Sequence, residues 1–443
     1  MAIKLSDHFT YSKLLRFTLP SIVMMMFTSL YSVVDGLFVS NLVGENALSA
    51  INIMFPVSMI IGAVGFMLGA GGSAIVARTM GEGKQELANR YFTMIILCVL
   101  VLGVSVSLFS IFFVEPIARL VGASDLLMDD CLAYGTIIFG GCFVFMLQIS
   151  FQTFFVTAEL PKIGLAFSLA SGATNIILDY LLIGVLDMGI AGAAWGTVLG
   201  YGVGGVLPLL FFLKPPRGTL RLCPTKLYWR ELKNACVNGS SELMSNLSAS
   251  LIGILYNIQL MRMVGELGVA AYSVMMYVDF AFAAVFLGFS MGSGPIISFH
   301  FGAGHEDELK SIFRKSMTII TISSVAMVLL SEMLSRPLTM AFVGYNPDLL
   351  EMTVHGFRIF ALSYLFCGMG VYGSGFFTAL CNGAVSALIS FLRLFLFRGG
   401  MVILLPLMLK LDGIWLAVVV ADGLGAAAAL GLIWGYRNRY HYC

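Results

Sequence analysis

An all-α membrane protein of twelve spanning helices, arranged as two pseudo-symmetric six-helix lobes, is the fold class this sequence predicts, and three observations predict it. Hydrophobic residues fill 59% of the 443 positions and charged residues only 11%, where a soluble domain carries about a quarter charged residues. The apolar residues gather in long runs, each near the ~20 residues a helix needs to cross a bilayer. Landmarks of the first half return in the second half at a constant offset.

Apolar runs lie near 15–39, 48–77, 91–114, 130–158, 162–186 and 190–213. Six more follow near 237–264, 269–299, 316–334, 351–380, 384–409 and 413–436. Between the two sets stands the polar stretch KPPRGTLRLCPTKLYWRELK, Lys214 to Lys233. The chain is therefore expected to divide into a first lobe, 1–213, a linker, 214–236, and a second lobe, 237–443. The opening MAIKLSDHFTYSKLLRF is a mixed, amphipathic lead-in, and the apolar run after it lacks a small-residue cleavage site, so no cleavable signal is expected. With the amino terminus inside, most Lys and Arg fall inside as well, among them Lys13, Arg78, Lys84, Arg90, Lys162, Arg217, Arg230 and Arg314, while the outer loops carry Arg119, Arg336 and Lys410. That bias predicts cytoplasmic termini and a cytoplasmic linker.

The internal repeat points from membrane protein to transporter. Residues 48–84 align with 269–305, so Gly71 falls on Gly292, Gly81 on Gly302 and Gly83 on Gly304. TMGEGKQEL thereby corresponds to HFGAGHEDE, and Pro116 to Pro337. Each half holds an even number of spans, so both insert the same way up, related by an axis along the membrane normal. Such halves can rock about a central cavity and expose it to each side in turn.

Acids inside spans are costly and mark functional sites by default. Asp35 lies in the first span (LYSVVDGLFVS) and Asp179 in the fifth (NIILDYLLIG), with Asn175 one turn earlier on the same face. Thr197, in GIAGAAWGT, lies in the sixth. At ~1.5 Å per residue these four groups reach similar depths in the outer half of the bilayer. Two carboxylates, an amide and a hydroxyl offer oxygen ligands to a hard cation such as Na+. They equally suit a proton, because two close carboxylates in a low dielectric cannot both stay ionised. The residues do not separate the two.

The net charge of +1 offers no basic field for nucleic acid. The eight cysteines contain no CxxC pair and the five histidines no metal spacing. No HExxH or GxSxG constellation suggests an enzyme. The 26 Met and 35 Phe suit lipid contact and packing, and also a cavity for flat, lipophilic molecules.

The YSVVDGLFVS segment, the paired Gly-rich repeats, NIILD followed by GIAGAAWGT, and NGSSELMSNLS opening the second half resemble, in that order, the multidrug and toxic compound extrusion (MATE) antiporters over essentially the whole chain. The resemblance implies two lobes forming a V around a central cavity, without cofactor or ATP. It implies a monomer of the inner, cytoplasmic membrane that exports small organic compounds, often cationic or lipophilic, in exchange for protons or sodium ions by alternating access. By the same resemblance Asp35, Asn175, Asp179 and Thr197 match the family's cation site in the first lobe. Pro20 matches a kink in the first helix, and Tyr31, Tyr134 and Gln152 match cavity-lining positions. The NorM branch of the family carries an acidic pair in the second lobe, but the ALSYLFCGMGVYGSGFFTAL stretch of the tenth span holds no acid and Glu242 stands too early to match. This favours the branches coupled through the first lobe, the DinF-like and related ones. Arg393, Arg398 and Asp422 are expected to pair among themselves. Glu242 and Asp279 are candidates for attracting a cationic substrate or for interhelical hydrogen bonds. A lipid-linked precursor flippase is the alternative, disfavoured by twelve spans and by a first lobe without intramembrane arginine.

Overall fold

The computed structural model describes residues 3–215, 220–344 and 346–442; Arg217 and Cys443 fall outside them. The first lobe comprises α1 (Tyr11–Leu42), α2 (Glu45–Gly81), α3 (Gln85–Phe112), the short α4 (Val114–Leu120), α5 (Met128–Gly140), α6 (Cys142–Thr157), α7 (Pro161–Asp179), α8 (Gly189–Gly205) and α9 (Leu207–Leu213). The second comprises α10 (Trp229–Met263), α11 (Glu266–Ala303), α12 (Glu306–Val343), α13 (Pro347–Ala361), α14 (Tyr364–Ala379), α15 (Gly383–Ser390) and α16 (Gly399–Tyr440). Two π-helical segments extend them: Tyr180–Val185 follows α7, and Phe391–Arg398 joins α15 to α16.

Local signals set the ends. Thr10 caps α1 by accepting from the Lys13 amide at 3.3 Å, Asn346 caps α13 through the Leu349 amide at 3.2 Å, and Pro161 opens α7. Glu306, Asp307 and Glu308 fill the first turn of α12, where the helix dipole favours acids. Polar first turns also extend two helices beyond their apolar runs: α12 begins ten residues before 316, and α10 opens at Trp229 within the polar linker. The remaining linker is tied down rather than loose. Arg221 and Cys223 donate their amides to Asn89 and Thr93 of α3, at 3.2 and 3.1 Å.

Among the described residues, nine helices are long and apolar enough to cross a bilayer, and two bent pairs, α5–α6 at 49° and α13–α14 at 51°, supply one span each. The stretch Gly383–Tyr440 runs 58 residues. At 1.5 Å per residue that is about 87 Å, nearly three times the hydrocarbon thickness. It breaks at Lys410, whose backbone lies at φ 54° and ψ −128°. The stretch is therefore two spans, and the total is the twelve that the apolar runs predict.

The repeat is visible in the packing. α1 lies against α11, α2 lies against α10, and α2 meets α11. Since α1 corresponds to α10 and α2 to α11, the first two contacts are one contact exchanged between lobes. Glycine permits the approach: a β-carbon on Gly71 would stand 2.0 Å from the Ala235 carbonyl, and one on Gly239 1.8 Å from the Met67 carbonyl. The α2–α11 crossing shows the symmetry most sharply. A β-carbon on Gly81 would stand 2.0 Å from the Phe299 carbonyl, and one on Gly302 2.1 Å from that of Arg78. Gly81 corresponds to Gly302 and Arg78 to Phe299, so this is a single contact seen from both partners, as a two-fold relation requires.

A strap before α1 binds the lobes on the face that carries both termini. Leu5 and Phe9 are fully buried in a cluster with Ile296, Phe313 and Tyr372 of the second lobe. The Leu5 amide donates to Glu159 of the first lobe at 2.6 Å, and the Phe9 amide to Glu308 of the second at 2.8 Å. His8 lies 2.6 Å from the same Glu308, and the Lys315 ammonium donates to the Phe9 carbonyl.

Candidate ion-coupling site

The site rests on a ladder of glycines in α8. Gly192, Gly196, Gly200 and Gly204 recur every fourth residue and present a bare ridge, the small-xxx-small pattern that lets membrane helices touch. α7 answers with Ser171, Asn175 and Asp179 at the same spacing. A β-carbon on Gly200 would stand 2.9 Å from Cβ of Asn175, and one on Gly196 would stand 2.2 Å from Oδ1 of Asp179. Gly196 is thus the cradle of the Asp179 carboxylate. Below it, Ser171 donates to the Gly200 carbonyl at 2.7 Å and accepts from the Gln148 amide at 3.0 Å, fixing α7 on α8. Asn175 Nδ2 reaches Thr197 Oγ1 at 3.5 Å.

Asp179 is the last α-helical residue before the π-helical turn Tyr180–Val185, and such turns concentrate at functional sites. Asp179 is fully buried, and Asn175 and Thr197 nearly so. The Asp35 carboxyl of α1 lies close enough to Asp179 for the two acids to interact. Both are acceptors when ionised. Accordingly both Asp179 oxygens, Oδ1 of Asp35 and Oδ1 of Asn175 lack a hydrogen-bond donor. Buried acceptors without donors cost about 1–3 kcal/mol each, and more when charged. The arrangement therefore calls for positive charge between the carboxyls, and four converging oxygens suit either a proton or a hard monovalent cation. Among the described residues no three His, Cys, Asp or Glu side chains form a transition-metal set.

Asp35 and Thr197 open onto a cavity of about 130 Å³ walled by Tyr31, Tyr134, Phe145, Tyr201 and, from the second lobe, Tyr277. That is well below the roughly 300 Å³ at which drug-sized pockets begin. In this conformation it has room for water or an ion but not for a drug-sized molecule. The Tyr201 ring lies 4.9 Å from that of Phe145.

Of the sequence-predicted residues, Asp35, Asn175, Asp179 and Thr197 come together, with Tyr31 and Tyr134 in the adjoining wall. Gln152 does not join them. It is buried against Ser168, to which its amide donates at 3.3 Å, and Ser168 lies eleven residues before Asp179 on α7, about 16 Å along the helix. Pro20 lies inside α1, buried, fifteen residues before Asp35. Glu242 and Asp279 belong to a separate polar cluster in the second lobe. Missed in the sequence were Gly196 and Tyr201, although Tyr201 stands four residues after Thr197 on the same helical face.

In that second cluster, Arg398 donates to both oxygens of buried Asp422, at 3.2 and 3.1 Å. This is part of the expected pairing. Arg393 is not in it: its stem threads a slot between Gly370 and Gly425, and its Nη1 faces the Cys367 sulfur at 3.8 Å. The buried Tyr364 hydroxyl lacks a hydrogen-bond partner. Asp422 thus has a basic partner in this lobe, whereas both oxygens of Asp179 and Oδ1 of Asp35 in the first lobe have no donor.

The fold and the site define a class: a polytopic helical membrane protein of two repeated lobes, with a bare carboxylate pair buried in one. A family profile described as MatE matches residues 20–181 and again 243–402. The chain belongs to the MatE family. It is 24% identical over 443 residues to the multidrug export protein MepA of Staphylococcus saprophyticus, covering 97% of this chain and 94% of that protein. It is 22% identical over 440 residues to MepA of Staphylococcus aureus strain MSSA476, with the same coverage. Among solved structures, a MATE protein in complex with MaL6 superposes with a TM-score of 0.90 at 22% identity, covering 98% of this chain and 97% of that one. An outward-facing multidrug resistance MATE transporter of the MOP superfamily does so with a TM-score of 0.90 at 21% identity and the same coverage.

Proposed function

We propose that this protein is a secondary multidrug exporter that expels small organic compounds, often cationic or lipophilic, in exchange for protons or sodium ions. The observation that carries the proposal is the bare Asp35–Asp179 pair beside a cavity at the edge of the first lobe. An exporter must link the shape of a cavity to occupancy by an ion. When the ion leaves, the carboxylates repel in a low dielectric and push α1 from the α7–α8 pair; when it binds, the helices can close. Tyr31 sits one turn before Asp35 on α1 and Tyr201 one turn after Thr197 on α8, so any shift of α1 moves the cavity wall.

Coupling through the first lobe is supported by the contrast with the second, where Asp422 is paired with Arg398 and α14 has no acid. That contrast favours the DinF-like and related branches over NorM. The lobes divide as 1–213 and 237–443 around the linker. The protein would act as a monomer in the inner membrane with both termini cytoplasmic, and Arg262, in the last turn of α10, joins the outer cations. In that orientation the Gly81–Gly302 contact closes the cytoplasmic side. The flippase reading has less support, because Arg398 is paired with Asp422 and the Arg393 stem is buried in the slot between Gly370 and Gly425 with Nη1 against the Cys367 sulfur.

Proteoliposomes loaded with a cationic dye test the proposal under an imposed sodium or proton gradient. Efflux should require one gradient and stop when it is dissipated. Dye movement indifferent to both gradients, or movement of a labelled lipid-linked precursor in place of dye, would overturn it.

A further inference from the structure

The strap and the start of α12 enclose a groove that the export reading does not use. Tyr11 forms one wall, and Lys310, Ser311, Arg314 and Lys315 form the other, with Asp307 the acidic residue on the rim. Lys315 is committed: its ammonium donates to the Phe9 carbonyl and to Ser311 Oγ, the latter at 2.7 Å. By accepting from Lys315, Ser311 is left with its own hydroxyl proton to give. Lys310 and Arg314 make no ion pair among the described residues. The groove thus presents two uncommitted cations and two hydroxyls, which is a recognition set for a phosphate oxygen cluster.

Its surroundings specify where that phosphate comes from. The groove lies at the membrane end of two spans, and exposed apolar rows lead from it toward the hydrocarbon. On α1, Tyr11, Leu15 and Leu19 are 47%, 43% and 55% exposed at intervals of four. On α12, Ile322 and Val325 are 64% and 47% exposed. A free phosphate would use only the head of this site, whereas a phospholipid would use the head and the rows beneath it. Tyr11 belongs to the first lobe and the cations to the second, so an occupant spans the same seam that the strap closes.

We infer that this groove is a binding site for the headgroup of an anionic phospholipid, held by Lys310, Arg314 and the hydroxyls of Tyr11 and Ser311. Occupancy ties α1 to α12 and favours the conformation in which the lobes meet on this face. The inference is independent of which substrate or ion is transported.

Native mass spectrometry of the purified full chain, titrated with phosphatidylglycerol or phosphatidylcholine, tests it. The wild type should prefer phosphatidylglycerol. In a Lys310→Gln/Arg314→Gln variant the apparent Kd should rise about thirtyfold, from ~1 kcal/mol per basic residue and tenfold per 1.4 kcal/mol. A charge-matched Lys84→Gln/Lys162→Gln variant, altered at two exposed sites elsewhere on the same face, should stay within about twofold, since screening confines the effect to a Debye length. Equal weakening in both variants, or no lipid preference in the wild type, would overturn the site. Inorganic phosphate in millimolar excess should fail to displace the lipid; full displacement would overturn the lipid assignment and leave a soluble-anion site.

Discussion

Gly196 offers the sharpest structural perturbation of the ion site. Alanine there places a methyl 2.2 Å from Oδ1 of Asp179, where ordinary contact begins at 3.4 Å. Either the carboxylate or the α7–α8 spacing must yield by about 1.2 Å, and overpacking of this kind costs about 1–3 kcal/mol. A shift of that size also displaces Asp179 from Asp35 and Asn175. If half of that cost, about 0.5–1.5 kcal/mol, falls on the ion-bound state, affinity for the ion drops by about two- to twelvefold, at 1.4 kcal/mol per factor of ten. Gly202 supplies the control on the same helix, because a β-carbon there meets nothing within 4 Å. Gradient-driven dye efflux from proteoliposomes, at matched protein incorporation, should fall by about two- to twelvefold in Gly196→Ala at limiting ion concentration and recover partly when the ion is raised. Gly202→Ala should match the wild type. Normal efflux and normal ion dependence in Gly196→Ala would refute the role of the α8 ridge as the cradle of Asp179.

Three further outcomes are expected. Arg398→Met alone strands the buried Asp422 carboxylate and should destabilise the protein by about 3–5 kcal/mol, whereas Arg398→Met/Asp422→Leu should recover most of that loss in thermal unfolding; equal losses would show that the pair is not a unit. Gly81→Ala and Gly302→Ala each push a methyl into a backbone carbonyl at the seam, so spin-label distances across that face should lengthen in both variants, and unchanged distances would contradict the closure assigned to this contact. Glu308→Ala removes the acceptor of the Phe9 amide and should cost the strap about 1–3 kcal/mol, read as faster hydrogen exchange at Phe9, while Glu308→Gln keeps an acceptor and should lose less.

The scaffold was legible in the sequence because bilayer thickness dictates the length of each apolar run, and because the repeat places glycines at the same crossings in both lobes. The clustering of the four candidate residues was legible for a related reason: an acid inside a span is expensive, so Asp35 and Asp179 stood out against their surroundings. Gly196 did not stand out, since its importance lies in what it lacks, and only the partner helix reveals what a side chain there would strike. Gln152 misled because a polar residue in a span reads the same whether it faces a cavity or, as here, a serine on the next helix. The separation of Arg393 from the Arg398–Asp422 pair depended on the slot made by Gly370 and Gly425, a three-helix arrangement that no spacing along one chain segment encodes. Polar helix ends, at Trp229 and Glu306, lay beyond the apolar runs because the part of a helix in water needs no hydrophobicity.

The central claim is that a bare carboxylate pair in the first lobe couples ion entry to export. Asp35→Asn and Asp179→Asn, each nearly isosteric with the native residue, test it most directly in gradient-driven efflux from proteoliposomes, alongside a check that each variant is folded and still binds dye. Each substitution alone should abolish efflux driven by the gradient while leaving dye binding in place. Efflux at the wild-type rate in both variants would contradict the account and move the coupling site to the second lobe.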